Sequence, residues 1–229
     1  MSKCITPLTA AALVAGMFAT ATAQQQGVYD PPTGGVTGAV VAGQSGDLNQ
    51  TIAACLALGN EEQVALAKFA EGRAKHDDVK KFVAKIKQDH QAAVEKLQGL
   101  APIATLGSLR DSDDDDASFE HQVAHAGTAG GQSQMIALQR RIAEECLALT
   151  RQELKDKEGA DFDRCFIGQQ VGAHVAMLAK LKASREFATG EVQQFIDEAI
   201  QTVEEHHKQA KQLAEKLEKQ WKEKVRSDS

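Results

Sequence analysis

No proline follows Pro102, so residues 103–229 lack the amino acid that ends helices most effectively. The same stretch is rich in alanine, leucine, lysine, glutamate and glutamine, which are strong helix formers. Aromatic residues make up only 4% of the chain. These features predict an all-α protein.

Four segments carry apolar residues at helical spacing, with lysine, glutamate and glutamine on the opposite side. They predict helices over 48–73, 78–100, 162–183 and 190–221. The predicted helix caps are Asp47, Asp77, Asp161 and Thr189. The predicted seam of the first helix consists of Cys55, Gly59, Glu62, Leu66 and Phe69. Four such stripes bury one another only as a four-helix bundle.

Residues 102–159 form a long connection between the second and third of these helices. It contains an acidic and glycine-rich loop, followed by a further helix predicted over about 132–156. About 24 residues span roughly 36 Å as a helix, which is the length of the bundle. The connection can therefore carry the chain from one end to the other, so that the third helix runs parallel to the second. This is the topology of ferritin-like bundles.

The first 23 residues have the pattern of a secretory signal peptide. Lys3 precedes an apolar stretch that is too short to span a membrane, and Ala21-Thr22-Ala23 fits a small-residue cleavage site. We therefore expect export to the periplasm or the extracellular space. Residues 24–46 are predicted to be a flexible linker, 47–222 the bundle and 223–229 a tail.

Composition and motifs exclude several function classes. A net charge of −6 with few aromatic residues disfavours nucleic-acid binding. The mature chain has no transmembrane segment, since no run of 18 apolar residues follows the N-terminus. Phosphate-binding loops, nucleophile elbows and zinc-binding cysteine pairs are absent, so we do not expect an enzyme. Cys55, Cys146 and Cys165 are either small buried residues or partners in a disulfide bond.

Three histidines, His90, His174 and His206, lie on the predicted apolar stripes. A buried imidazole is unfavourable unless its nitrogens have partners. Either each ring hydrogen-bonds a neighbouring carboxylate or backbone group, or the rings bind a transition metal such as Zn, Cu, Fe or Ni.

Counting residues from the predicted helix ends places Glu62, Gln63, His90 and His174 at one level, with Asp89 beside them. His206 falls about two turns away, which disfavours a site made of three histidines and leaves a Glu62, His90 and His174 cluster. A di-iron carboxylate site needs Glu-x-x-His pairs. The residues three positions before the histidines are Lys87, Val171 and Val203, so a di-iron activity is excluded.

Several segments resemble an exported bacterial family, the ferritin-like domain of unknown function numbered 4142. They are 59–70, 79–90, 159–164 with His174, and 202–206, and they contain Asp89-His90 and Phe162-Asp163. The resemblance implies a ferritin-like bundle behind a signal peptide, in a family whose members are often labelled putative membrane proteins. It implies no established activity. It carries over Asp89, His90, His174 and His206 as family-pattern positions, whereas Gln63 and Ala65 stand where the family carries glutamates.

Together these features predict an exported, non-enzymatic envelope or stress-related interaction protein. Its partner would be an envelope protein or a second copy of the chain. The alternative is a protein that binds or handles a transition metal through His90, His174 and His206, with Glu62, Gln63 or Asp89 assisting.

Overall fold

The computed structural model describes residues 40–101, 109 and 131–227. These residues form five helices and no strand, as the composition predicts. Their bounds are α1 Val40–Glu71, α2 Asp77–Leu100, α3 Gly131–Leu154, α4 Gly159–Arg185 and α5 Gly190–Ser227. The predicted signal peptide and the acidic, glycine-rich loop lie outside the described residues.

Two helical hairpins form the bundle. α1 packs along α2, and α4 packs along α5, while α2 and α5 hold the hairpins together. The starts of α2 and α4 share one apolar cluster, through Phe82 and Phe166. The ends of the same two helices share another, through Leu97 and Leu181. α2 and α4 therefore run in the same direction, as the sequence analysis predicts.

α3 is the helix of the long connection, and it lies on the outside of α1. Ala143 packs on Leu58, and the Arg73 guanidinium donates to the Lys155 carbonyl oxygen at 2.7 Å. The chain thus returns along α1 to the end of the bundle where α4 begins. One helix carries it the length of the bundle.

The bundle interior consists of two apolar halves. We call the half around Phe82 and Phe166 the upper core and the half around Leu97 and Leu181 the lower core. On each of α2, α4 and α5, the buried histidine stands between the residues that join the upper core and those that join the lower core. The apolar stripes predicted for α2 and α5 are buried as expected. A polar layer thus separates two regions of ordinary aliphatic and aromatic packing.

Hydrogen bonds join the hairpins at each end. At the upper end the buried Asp163 carboxylate accepts from the backbone N–H groups of Lys75 and His76, at 3.1 and 2.7 Å. At the lower end the Asn49 side chain exchanges two hydrogen bonds with Thr189, of 2.9 and 3.0 Å. At each end a side chain of one hairpin thus accepts from loop backbone N–H groups of the other, which fixes how far the hairpins are shifted along each other.

Several predicted boundaries are wrong. α1 begins at Val40, inside the predicted linker, and α5 continues to Ser227 through most of the predicted tail. α2 is capped by His76 rather than Asp77, because the His76 ring accepts from the Asp78 N–H at 3.1 Å. Helix ends depend on local capping contacts that residue type alone does not specify.

The predicted seam of α1 is only part of its buried surface. Gly59 and Leu66 are buried as predicted, but Leu56, Asn60, Gln63 and Ala67 are buried as well, and Glu62 is only partly buried. α1 packs on α2 on one side and on α3 on another, so apolar residues surround much of its circumference. Its pattern therefore does not reveal which stripe faces the centre. None of the described helices is both long and apolar enough to cross a membrane.

Candidate metal centre

His90, His174 and His206 meet at the centre of the bundle. Their exposed fractions are 2%, 1% and 0%. The ring centroids form a nearly equilateral triangle with sides of 5.6, 5.4 and 5.4 Å. One ring nitrogen from each histidine lies within 4.8 Å of those from the other two. Three helices, α2 from one hairpin and α4 and α5 from the other, thus place three imidazoles close together.

Each histidine uses one ring nitrogen for a hydrogen bond to an oxygen. His90 Nδ1 contacts Asn60 Oδ1 at 2.7 Å, and His174 Nδ1 contacts the Gln170 carbonyl oxygen at 2.8 Å. His206 Nε2 contacts Asp89 Oδ2 at 2.8 Å. The Asn60 amide is oriented by its Nδ2 group, which donates to the Leu56 carbonyl oxygen at 2.7 Å. All three partners are therefore acceptors.

These acceptors determine the tautomers. Because a carbonyl or carboxylate oxygen can only accept, we assign the ring protons to His90 Nδ1, His174 Nδ1 and His206 Nε2. The remaining nitrogens are His90 Nε2, His174 Nε2 and His206 Nδ1, and none of them has a hydrogen-bond partner. Three lone pairs thus remain in the core without a donor, which is unfavourable unless something binds them.

Burial keeps the three rings neutral. Loss of water lowers the pKa of His90 well below its usual range, and the neighbouring histidines lower it further. Burial lowers the pKa of His174 to about 4, although its bond to Gln170 acts in the opposite direction. Burial also lowers the pKa of His206 despite the Asp89 carboxylate. Neutral imidazole is the form that coordinates metals.

Asp89 connects the histidine layer to the surface. Burial alone would raise the pKa of Asp89, but hydrogen bonds from Lys85 and His206 lower it. Its Oδ2 atom lies 2.7 Å from Lys85 Nζ and 2.8 Å from His206 Nε2. An ionised carboxylate on the distal nitrogen of a histidine orients the ring and raises its basicity as a ligand. The sequence analysis selects Asp89 as a candidate ligand, whereas the structure places its carboxylate against His206 and outside the group of three histidines.

Two glutamines supply further unpartnered oxygens near this level. Gln63 and Gln170 are 3% and 0% exposed, and the Oε1 atom of each is buried without a hydrogen-bond partner. Gln63 lies one turn along α1 from Asn60, and Gln170 lies one turn along α4 from His174. Gln63 thus lies about 4.5 Å from Asn60 along the helix axis, and Gln170 about 6 Å from His174, both toward the upper core.

The position of His206 corrects the level count. The sequence analysis places it about two turns from the other histidines, yet its ring lies 5.4 Å from both. The predicted bounds in fact put His206 15 residues from the matching helix end, against 12 for His90 and His174, which is a difference of less than one turn. In the structure Val203, one turn before His206, packs in the same cluster as Leu97 and Leu181, which lie two turns after His90 and His174.

Glu62 does not belong to this cluster. It lies two residues from Asn60, which turns its side chain about 200° around the helix axis. Burial raises the pKa of Glu62 to about 7, and Lys180 of α4 opposes the shift. Burial raises the pKa of the Cys146 thiol on α3, and the nearby Glu62 carboxyl raises it further. Glu62 therefore lies near Lys180 of α4 and Cys146 of α3, away from the side of α1 that carries Asn60.

Sequence reasoning missed Asn60 and Gln170. Both residues are polar and buried, and both hold a histidine by its distal nitrogen. The available signal was the series Leu56, Asn60, Gln63 and Ala67, which has helical spacing on α1. An interrupted apolar stripe of this kind indicates a polar layer as clearly as a histidine does.

The family model of the domain of unknown function DUF4142 matches residues 37–213. The chain belongs to the DUF4142 family. This match confirms the resemblance that the helical segments show, and it spans α1 through most of α5, including all three histidines. Neither the curated proteins nor the solved structures include a match to the chain. Membership in DUF4142 assigns no activity, so the function must be argued from the site.

Proposed function

We propose that this DUF4142 protein binds a transition-metal ion at the centre of its bundle through His90, His174 and His206. The grouping of the three buried rings carries the proposal: one nitrogen of each lies within 4.8 Å of one nitrogen of each of the others, and each ring has one nitrogen without a hydrogen-bond partner. A water molecule has two hydrogens and would leave one nitrogen unsatisfied. A metal cation binds all three.

The geometry suits such an ion after a small contraction. Zinc–nitrogen bonds of about 2.0–2.1 Å hold three tetrahedral ligands about 3.4 Å apart. Ring nitrogens within 4.8 Å of one another reach that spacing when each moves inward by less than about 1 Å. Apo ligands are commonly looser than bound ones, and the hydrogen bond behind each ring restricts its rotation.

The donor set indicates the class of metal. Three neutral imidazoles suit Zn²⁺, Cu²⁺, Ni²⁺ and Co²⁺ rather than Mg²⁺ or Ca²⁺, which prefer carboxylate oxygens. Gln63 Oε1 and Gln170 Oε1, each one helical turn from a residue of the histidine layer, are buried neutral oxygens without a hydrogen-bond partner. The Asp89 carboxylate behind His206 offsets part of the ion's charge. The proposed role is metal binding or handling.

Calorimetric titration of the metal-free protein with Zn²⁺, Cu²⁺, Ni²⁺ and Co²⁺ tests the proposal. We expect one ion per chain, a rise in the melting temperature, and a tetrahedral Co²⁺ absorption spectrum. His174→Gln should abolish binding. His207→Gln is the matched control because His207 follows His206 on α5 and does not belong to the cluster. Equal affinities of the two variants, or no binding of any of the four ions, would refute the site.

A second role, an exported interaction protein, is supported by different observations. The apolar stretch and small-residue cleavage pattern of residues 1–23 favour export. α3 carries exposed large apolar side chains, which favour an interaction with another protein. Intact-mass analysis of protein recovered from the cell envelope tests export. We expect a mature chain that begins at Gln24, and an uncleaved chain confined to the cytoplasm would contradict it.

A further inference from the structure

Large apolar side chains are exposed along one side of α3. Met135, Leu138, Ile142 and Leu149 are 54%, 55%, 42% and 60% exposed. They are four of the eight exposed large apolar residues in the described part of the chain. Exposed apolar side chains that form a continuous line mark interaction surfaces, whereas single ones need no explanation.

This line is separate from the face that α3 uses within the bundle. Ala143, Leu147 and Leu154 are buried, with Ala143 packed on Leu58 of α1. At 100° per residue, these positions lie about 100–140° around the axis from Ile142. α3 is therefore apolar on two adjoining faces, and only one of them packs on the bundle.

The exposed line is symmetric about Ile142. Leu138 lies four residues before it and the partly exposed Cys146 lies four residues after it. Met135 lies seven residues before it and Leu149 seven after it. All five fall within about 40° of one direction around the helix. We call them the α3 stripe.

We propose that the α3 stripe is a homodimer interface, in which α3 packs antiparallel to α3 of a second copy around a two-fold axis at Ile142. In a two-fold interface, residue i contacts residue j while j contacts i. An antiparallel pair centred on Ile142 places Met135 opposite Leu149 and Leu138 opposite Cys146. A two-fold antiparallel pair requires a stripe that is symmetric about its centre. An unrelated partner would not require that symmetry.

The charges beside the stripe match the same arrangement. Arg141 and Glu145 lie on one flank, one residue before and three residues after Ile142; both are exposed, and within the chain they pair with each other. In the antiparallel pair this flank faces itself, which brings Glu145 within two residues of Arg141 of the second copy, or about 3 Å along the axis. Two symmetric ion pairs can form. In a parallel pair the same flank would face the uncharged Gln139 instead.

Light scattering and sedimentation of the full chain test the interface. Over a concentration series that ends at about 100 µM, we expect a species of twice the chain mass to form. Ile142→Glu places two like charges together on the axis and should weaken the dimer by more than about 100-fold. Phe187→Glu is the matched control, since Phe187 lies outside the stripe and is 63% exposed. This variant should remain a dimer.

Two further experiments test the direction of the helices. Arg141→Glu should weaken the dimer about tenfold, and adding Glu145→Arg should restore it. Under mild oxidation, Leu138→Cys should form a cross-link to Cys146 of the second copy. Adding Cys146→Ser should abolish that cross-link.

Each alternative has a distinct result. A chain that is monomeric at every concentration overturns the proposal and assigns the stripe to another protein or to another segment of this chain. A dimer that Ile142→Glu leaves intact also overturns it. A Leu138→Cys cross-link that persists without Cys146 shows parallel helices and overturns the antiparallel arrangement. The proposal is independent of the metal centre.

Discussion

Replacing His174 with glutamine should change how the stability of the metal-free protein depends on pH. The pKa of His174 is about 4 in the folded chain, against an ordinary value of 6.5. Between these values the unfolded chain binds a proton that the folded chain does not. Lowering the pH through this window therefore favours unfolding.

The magnitude follows from the pKa difference. A difference of about 2.5 units at 1.36 kcal/mol each amounts to about 3 kcal/mol, lost between pH 6.5 and 4. His174 is 1% exposed, so solvent screens little of this effect. His90 and His206 also make the folded protein less stable as the pH falls, since burial lowers the pKa of both. Typical domains have only 5–15 kcal/mol of stability, so the effect should be large.

Urea unfolding of chelator-treated protein between pH 4 and 8 measures it. Wild type should lose stability steeply below pH 6.5. His174→Gln should lose about 3 kcal/mol less over the same range, whatever its stability at pH 8. His207→Gln should follow the wild type. An unchanged pH slope in His174→Gln would show that His174 titrates normally and that the histidine layer is open to water.

Three other substitutions test neighbouring parts of the argument. Asp89→Asn should weaken metal binding by about 10–100-fold in calorimetric titration while leaving the fold intact, and unchanged affinity would remove Asp89 from the site. Glu62→Gln should stabilise the protein by up to about 3 kcal/mol at pH 8 and by nothing near pH 4. Burial raises the pKa of the Glu62 carboxyl from 4.5 to about 7, so the wild-type protein loses stability as the pH rises through that range. Equal shifts of the urea midpoint at both pH values would contradict this. Phe166→Ala should cost about 3–5 kcal/mol because the ring is fully buried in the upper core, whereas Phe187→Ala should stay within about 0.5 kcal/mol, and similar costs would contradict the assigned burial.

The fold follows from local patterns wherever a helix packs on one side only. The apolar faces predicted for α2 and α5 are buried, and His90 and His206 lie on them. α1 fails this test because it packs on both α2 and α3, and its apolar surface is too broad to show the buried line. Helix ends fail as well, at Val40 and Ser227, because end positions depend on contacts outside the helix.

The site divides in the same way. The three histidines are predicted because an imidazole on an apolar stripe is conspicuous. Their grouping was not, since it depends on how far each helix is shifted along its axis. Hydrogen bonds between distant residues, such as Asp163 with His76 and Asn49 with Thr189, hold that shift.

The sequence by itself determined the helical class, the crossover of the long connection, membership in DUF4142 and which histidines are buried. These properties depend on side-chain periodicity and on short residue patterns, which are local. Only the tertiary structure decided that His206 lies beside His90 and His174, that Glu62 faces away from them, and that Asn60 and Asp89 contact the rings. The register between helices is a property of the packed bundle, and no single helix contains it.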